Sequence, residues 1–205
     1  MLDPHTLGLL IEQVPRRRFR KGSVIIQEGD SGTTMYVVIS GAVRAFSATW
    51  DGREITYGIH GPGMLFGEMS LDGAPRSASV EAVETCVCAA IERDQMIRYL
   101  KEHPEFAVEL MKLIIHRARA ATEAARNMAL MDVYGRVRLY LESAPHVLNG
   151  TQRVLIEKPT QIEIAQRVGA SREMVSRIFK DLEKGGYLSV ERRTLVLKKA
   201  LPGHW

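Results

Sequence analysis

Residues 160–178, TQIEIAQRVGASREMVSRI, decide the reading of this chain. Ile164, Ala165 and Val168 fall at helical spacing, and the spacing resumes in a new phase at Val175 and Ile178 after Gly169. Thr160 and Glu163 form a T-x-x-E capping box, which predicts a helix start. Gly169 suits the left-handed conformation that ends a helix, and Ser171 offers a hydroxyl N-cap for the next. Ala165 is small where two helices must cross closely, as a helix-turn-helix requires. Arg172, Glu173 and Arg177 are left on the polar side of the second helix, near the end that would enter a major groove. An ordinary helical hairpin with a solvated face would account for the charges but not for the alanine and glycine.

The charge distribution favours the same reading. Residues 132–205 carry 13 Lys and Arg against 8 Asp and Glu, a net of +5, whereas residues 1–131 carry 15 against 16, a net of −1. The chain's net charge of +4 therefore sits in its C-terminal part, the sign needed to approach phosphates. With 205 residues, 45% hydrophobic and 25% charged, the chain suits two modest domains. No run reaches the length of a membrane span, and MLDPHTLGLL lacks the features of a signal peptide, so a cytoplasmic location is expected. Cys86 and Cys88 are too few for a disulfide framework; one residue apart in a strand, they are expected as reduced core residues on one face.

Between residues 19 and 91 the period changes from helix to strand. The runs VIIQ, MYVVISG, VRAFS, EITYGI and ETCVCAAI are rich in β-branched and aromatic residues and are separated by Gly- and Pro-containing turns. Many short strands at this spacing predict a jelly roll or related β-barrel able to hold one small ligand. One loop breaks the rhythm: residues 66–78, FGEMSLDGAPRSA. Arg76 has the fork that matches a phosphate, and the backbone near Gly67 and Ser77 can add N–H donors. Glu68, a carboxylate, suits a sugar hydroxyl instead. This describes a ribose-phosphate site, although a Glu68–Arg76 salt bridge across the loop explains the same pair equally well.

The barrel with FGEMSLDGAPRSASV, the helix after it and the helix-turn-helix together resemble the catabolite activator (CRP/FNR) family of bacterial transcription regulators, from about Phe19 onward. The resemblance implies an α+β protein with an N-terminal jelly-roll β-barrel, a long dimerisation helix and a C-terminal winged helix-turn-helix. It implies segments 1–103 for effector binding, 104–131 for dimerisation and 132–205 for DNA binding. By position it assigns Arg76 and Ser77 to the phosphate of a cyclic nucleotide, Gly67 and Glu68 to the ribose 2′-hydroxyl, and Thr122 to the adenine. Two departures stand out. The loop between Glu68 and Arg76 is shorter than in cAMP-binding members, and Ala121-Thr122 replaces an adjacent Thr and Ser. The implied effector is cAMP or a related cyclic nucleotide; the alternatives are another ligand such as a cyclic dinucleotide, or none.

Other chemistries fit less well. Oxygen sensing in this family uses N-terminal cysteines, and none precedes Cys86. His60 is a conceivable haem ligand but stands alone at a turn. A metal enzyme of the same barrel shape needs clustered ligands, whereas His5, His60, His103, His116, His146 and His204 are scattered. Neither a metal nor catalysis is expected.

From Glu105 to Met131 the chain has no Gly or Pro, and Leu110, Ile114, Arg117, Ala121, Ala124, Met128 and Met131 follow a 4-3 seam that predicts a homodimer. A single amphipathic helix on the barrel is the competing reading. Arg117 is an anomaly on that seam, explicable if it reaches a carboxylate. Asp132 is expected to cap the next helix, at the joint that serves the family as a hinge.

Arg172 and Arg177 suit guanine O6 and N7, and Glu173 suits a cytosine amino group. R-E-x-x-x-R resembles family members that recognise TGTGA-type half-sites, which implies double-stranded, palindromic DNA. Thr160, Gln161, Ser171 and Lys180 are expected at phosphates. Residues 188–190 and 195–197 read as a small wing with Arg192 and Arg193 at its tip. RNA polymerase is the further partner the family implies.

Overall fold

The computed structural model describes residues 4–191 and 194–204, so Arg192 and Arg193, expected at the tip of a wing, lie outside the described residues. The chain divides into two compact units, one of residues 1–49 and 56–121, the other of 50–55 and 122–205.

The first unit opens with α1 (Pro4–Glu12) and continues through β1 (Arg16–Phe19), β2 (Val24–Ile26), β3 (Thr34–Ser40), β4 (Val43–Ala48), most of β5 (Glu54–His60), β6 (Leu65–Phe66), β7 (Ser79–Ala82) and β8 (Cys86–Glu92). These strands form two four-stranded sheets in the orders β1-β8-β3-β6 and β2-β7-β4-β5, the jelly-roll arrangement expected from the strand runs. The first strand begins three residues earlier than the pattern indicated, because Arg16–Phe19 pairs with Ala89–Cys86 although RRRF has no apolar alternation.

Sheet alternation divides the side chains of β3 and β8 between two cores. Tyr36 and Val38 join Cys86, Cys88, Ala90 and Phe66 inside the barrel. Met35 and Val37 join Ala89 and Ile91 on the other face, against α1, α2 (Arg93–Glu102) and the start of α3 (Pro104–Leu130). That double burial is why MYVVIS and CVCAAI read as nearly continuous apolar runs. Cys86 and Cys88 are both buried and free, with their sulfurs 4.0 Å apart. Burial pushes the Cys88 thiol up to about 12, so its reactive thiolate is scarce at neutral pH.

The long helix does not present an unbroken seam. Leu110 packs with Phe106 into the core on the barrel's side, and Arg117 bonds to residues of the barrel itself. Ile114, Ala121 and Ala124 are exposed, as are Val108, Met111 and Ile115.

The second unit follows α3 with α4 (Val133–Ser143), β9 (His146–Asn149), β10 (Gln152–Leu155), α5 (Gln161–Val168), α6 (Arg172–Lys184), β11 (Leu188–Val190) and β12 (Leu195–Leu197). Asp132 caps α4 as expected, its Oδ1 accepting from the Gly135 N–H at 2.7 Å. Val137, Leu141, Ile164, Val175, Phe179, Leu182, Leu188 and Leu195 form one core. The wing is part of a larger sheet than anticipated, in the order β11-β12-β10-β9. All residues of β9 are exposed, so it lacks the alternation that would have announced it.

Candidate effector and DNA-binding sites

In the first unit the loop after β6 is built around Gly67. Its φ of 78° is left-handed, and a Cβ there would lie 3.1 Å from Arg76 Nη1 and 3.0 Å from Ile26 Cδ1. Glycine is therefore needed both for the turn and for the approach of the arginine. A short 3-10 helix, Glu68–Asp72, follows and ends at Gly73, also left-handed at φ 82°. Asp72 Oδ1 then accepts from the Ala74 N–H at 2.8 Å, forming an Asx turn into Pro75. The Arg76 backbone bonds on both sides to the turn after β2: its N–H donates to Asp30 O and its carbonyl accepts from Gly29 N, each at 2.9 Å.

This framework aims the guanidinium back across the loop. Arg76 Nη1 donates to Gly67 O at 3.0 Å, and Nη2 donates to Thr34 O at 2.6 Å. A guanidinium carries five N–H donors, so others remain for a phosphate. Burial draws the Arg76 pKa down from its ordinary value, while Tyr36, Glu68 and Glu92 act the other way. Ser77 is exposed, and its hydroxyl donates to Met69 Sδ at 3.0 Å.

Glu68 does not pair with Arg76. Its Oε1 lies 2.7 Å from Arg117 Nη1, while Arg117 Nη2 donates to Leu65 O at 2.6 Å. The salt bridge considered across the loop is thus replaced by one to α3, which explains the polar residue on the expected seam. Sequence reasoning missed Arg117 as part of the site, because its partners are 49 and 52 positions away and no local spacing announces them. The structure brings Gly67 and Arg76 into direct contact and holds Glu68 from α3; Thr122 is exposed on α3 in the second unit.

In the second unit, local bonds form the helix-turn-helix. The capping box is present in both directions: Glu163 N donates to Thr160 Oγ1 at 3.2 Å, and Thr160 N donates to Glu163 Oε2 at 2.6 Å. Gly169 ends α5 at φ 60°. Ser171 Oγ accepts from Met174 N at 3.2 Å and starts α6. Thr160 and Ser171 hydroxyls that accept in these caps keep their own hydrogen to donate elsewhere. Arg136 secures the motif, donating to Val168 O at 2.8 Å and to Met131 O at 2.7 Å.

Helix α6 buries Val175, Ile178, Phe179 and Leu182 on one side. Arg172, Glu173, Ser176, Arg177 and Lys180 line a shallow concavity of about 370 Å³ on the other. Gln161 is half-buried at the start of α5, while Thr160, Ser171 and Lys180 are exposed.

A jelly roll with an arginine fixed in its loop, combined with a helix-turn-helix whose polar face is open, is the architecture of a DNA-binding regulator. Residues 16–103 match the cyclic nucleotide-binding domain family, and residues 136–200 match the Crp-like helix-turn-helix domain. The chain is 30% identical over 200 residues to the CRP-like cAMP-activated global transcriptional regulator of Mycobacterium tuberculosis H37Rv, covering 96% of this chain and 89% of that one. It is 34% identical over 199 residues to the cAMP-activated global transcriptional regulator Vfr of Pseudomonas aeruginosa PAO1, covering 93% and 92%. The solved structure of the c-di-GMP-responsive global regulator CLP of Xanthomonas campestris superposes with a TM-score of 0.80 at 27% identity, covering 96% of this chain and all of that one. The chain belongs to the CRP/FNR family of transcription regulators; it is a regulator, not an enzyme. No described helix is long and apolar enough to cross a membrane.

Proposed function

We propose that the chain acts in the cytoplasm as a homodimer that binds cAMP in its N-terminal unit and then a palindromic DNA site with TGTGA-type half-sites, working with RNA polymerase. The observation that carries the effector reading is the Arg76 guanidinium, held against Gly67 by the loop's own carbonyls with further N–H donors to offer. Arg76 and Ser77 hold the phosphate, Gly67 and Glu68 meet the ribose hydroxyl, and Thr122 serves the base. Glu68 fits because Arg117 engages one carboxylate oxygen and fixes the group while the other oxygen can accept. Relatives at 30% and 34% identity that are cAMP-activated support cAMP. Ala121 and the short loop depart from the cAMP-binding pattern, and the c-di-GMP-responsive Xanthomonas relative supports a second reading, a cyclic dinucleotide.

By role, residues 1–103 bind effector, 104–131 dimerise and 132–205 bind DNA. Exposed Val108, Met111, Ile114 and Ile115 on α3 supply the apolar area a partner helix needs. Effector binding shifts the population toward the pairing of α3 helices that sets both α6 helices about 34 Å apart, one turn of DNA.

On the DNA, Arg172 and Arg177 read guanines and Glu173 a cytosine, while Thr160, Gln161, Ser171 and Lys180 contact phosphates. Arg172→Ala should cost about 1–3 kcal/mol at one base pair and relax the preference there. Lys180→Ala should weaken all sequences alike and flatten the salt dependence. Competition against a panel of single-base half-site variants at fixed salt checks both. Uniform loss for Arg172→Ala, with no base pair singled out, would remove it from base readout.

A further inference from the structure

The Ser77 hydroxyl faces an acceptor unlike the others in this loop. It donates to the thioether sulfur of Met69 at 3.0 Å, whereas Ser70 Oγ, one residue further on, donates to the Gly67 carbonyl at 2.8 Å. A thioether is a weak acceptor, so Ser77 gives it up readily for a phosphate oxygen. Met69 is also accessible: it is 57% exposed, whereas Met35 and Met96 are wholly buried. It sits on the 3-10 helix between Glu68 and Ser70, both buried, so the backbone at residue 69 is held from both sides.

We propose that Met69 is an oxidation site through which peroxide lowers effector affinity; this rests on the reading of Arg76 and Ser77 as the phosphate site. The sulfur lone pair attacks one peroxide oxygen, the O–O bond breaks, and the departing hydroxide takes up the hydroxyl proton to leave as water. The thioether becomes a sulfoxide, oxidised by two electrons, and hydrogen peroxide is reduced to water. The product is polar and larger, and it carries an oxygen that is a far better acceptor than sulfur. Ser77 then donates to the sulfoxide oxygen, and its hydroxyl is withdrawn from the phosphate. Thiol-dependent sulfoxide reduction restores the thioether and the original affinity.

The test uses the full chain, reduced or treated with hydrogen peroxide, with sulfoxide quantified by peptide mass spectrometry and cAMP affinity by isothermal titration. Met174, exposed at 39%, oxidises as well and serves as an internal control. The expected result is a loss of about tenfold in cAMP affinity that follows the fraction of sulfoxide at Met69 and reverses on enzymatic reduction. Met69→Leu, compared with its own untreated form, should lose less than about twofold on the same treatment, since the sulfur that Ser77 faces is gone. Full conversion of Met69 with unchanged affinity would overturn the switch and leave the pocket standing. An equal loss in Met69→Leu would do the same and place the sensitivity elsewhere. If the reduced chain bound neither cAMP nor c-di-GMP, the pocket reading would fall, and the oxidation switch with it.

Discussion

Arg76→Ala is expected to raise the dissociation constant for cAMP by roughly 30- to 1000-fold, equivalent to about 2–4 kcal/mol. The reason is local. The guanidinium is the cation of the loop, and its orientation is set by bonds to Gly67 O and Thr34 O rather than by a flexible surface contact. A phosphate that meets it therefore forms charge-assisted bonds with a donor already aligned, and little ordering entropy remains to be lost. Part of the effect is structural, because removal of the side chain takes a donor from Thr34 O, whereas Gly67 O keeps those of Ser70. Arg76→Lys separates the contributions: it keeps the charge but not the fork, so an intermediate loss is expected. Titration calorimetry on both variants, with thermal unfolding in parallel, checks this. Binding by Arg76→Ala within about threefold of the parent would remove Arg76 from the phosphate site.

Arg117→Met is expected to destabilise the first unit by about 2–4 kcal/mol, through the charge it leaves behind. Glu68 is only 8% exposed and has its carboxylate 2.7 Å from Arg117. Without that cation a buried carboxylate and the Leu65 carbonyl both lose a partner. Partial exposure of the arginine keeps the figure below that of a fully buried pair. Glu68→Gln in the same background removes the orphaned charge, so the double variant should recover at least about 1 kcal/mol relative to Arg117→Met alone. Denaturant unfolding of the four proteins gives the cycle. Strict additivity of the single losses would show that the pair carries no coupling. The same bond joins the effector loop to α3, so loss of Arg117 should also blunt the dependence of DNA binding on effector.

What could be read from the chain beforehand follows the range of the interactions. Thr160 with Glu163, Gly169, Ser171 and Asp132 act within a few residues of themselves, and each is found in the expected role. The strands of the barrel were visible because their side chains alternate between two cores or fill both. The β9–β10 hairpin was not, since β9 buries nothing and its edge position imposes no apolar pattern. The loop motif pointed to Arg76 through its chemistry, but the partner of Glu68 was hidden. Arg117 looked like a defect in a seam because its contacts come from packing of the helix against the barrel, which no periodicity encodes.

On the proposed function, effector occupancy in the first unit controls specific DNA binding by the second. Fluorescence anisotropy of a labelled palindromic duplex with TGTGA-type half-sites tests it directly, titrated at one fixed salt concentration without nucleotide, with cAMP and with c-di-GMP. Specific binding is expected to be at least about tenfold tighter with cAMP, with no such gain on a scrambled duplex. A gain with c-di-GMP alone would keep the switch and change its effector. Equal specific binding under all three conditions would contradict effector control.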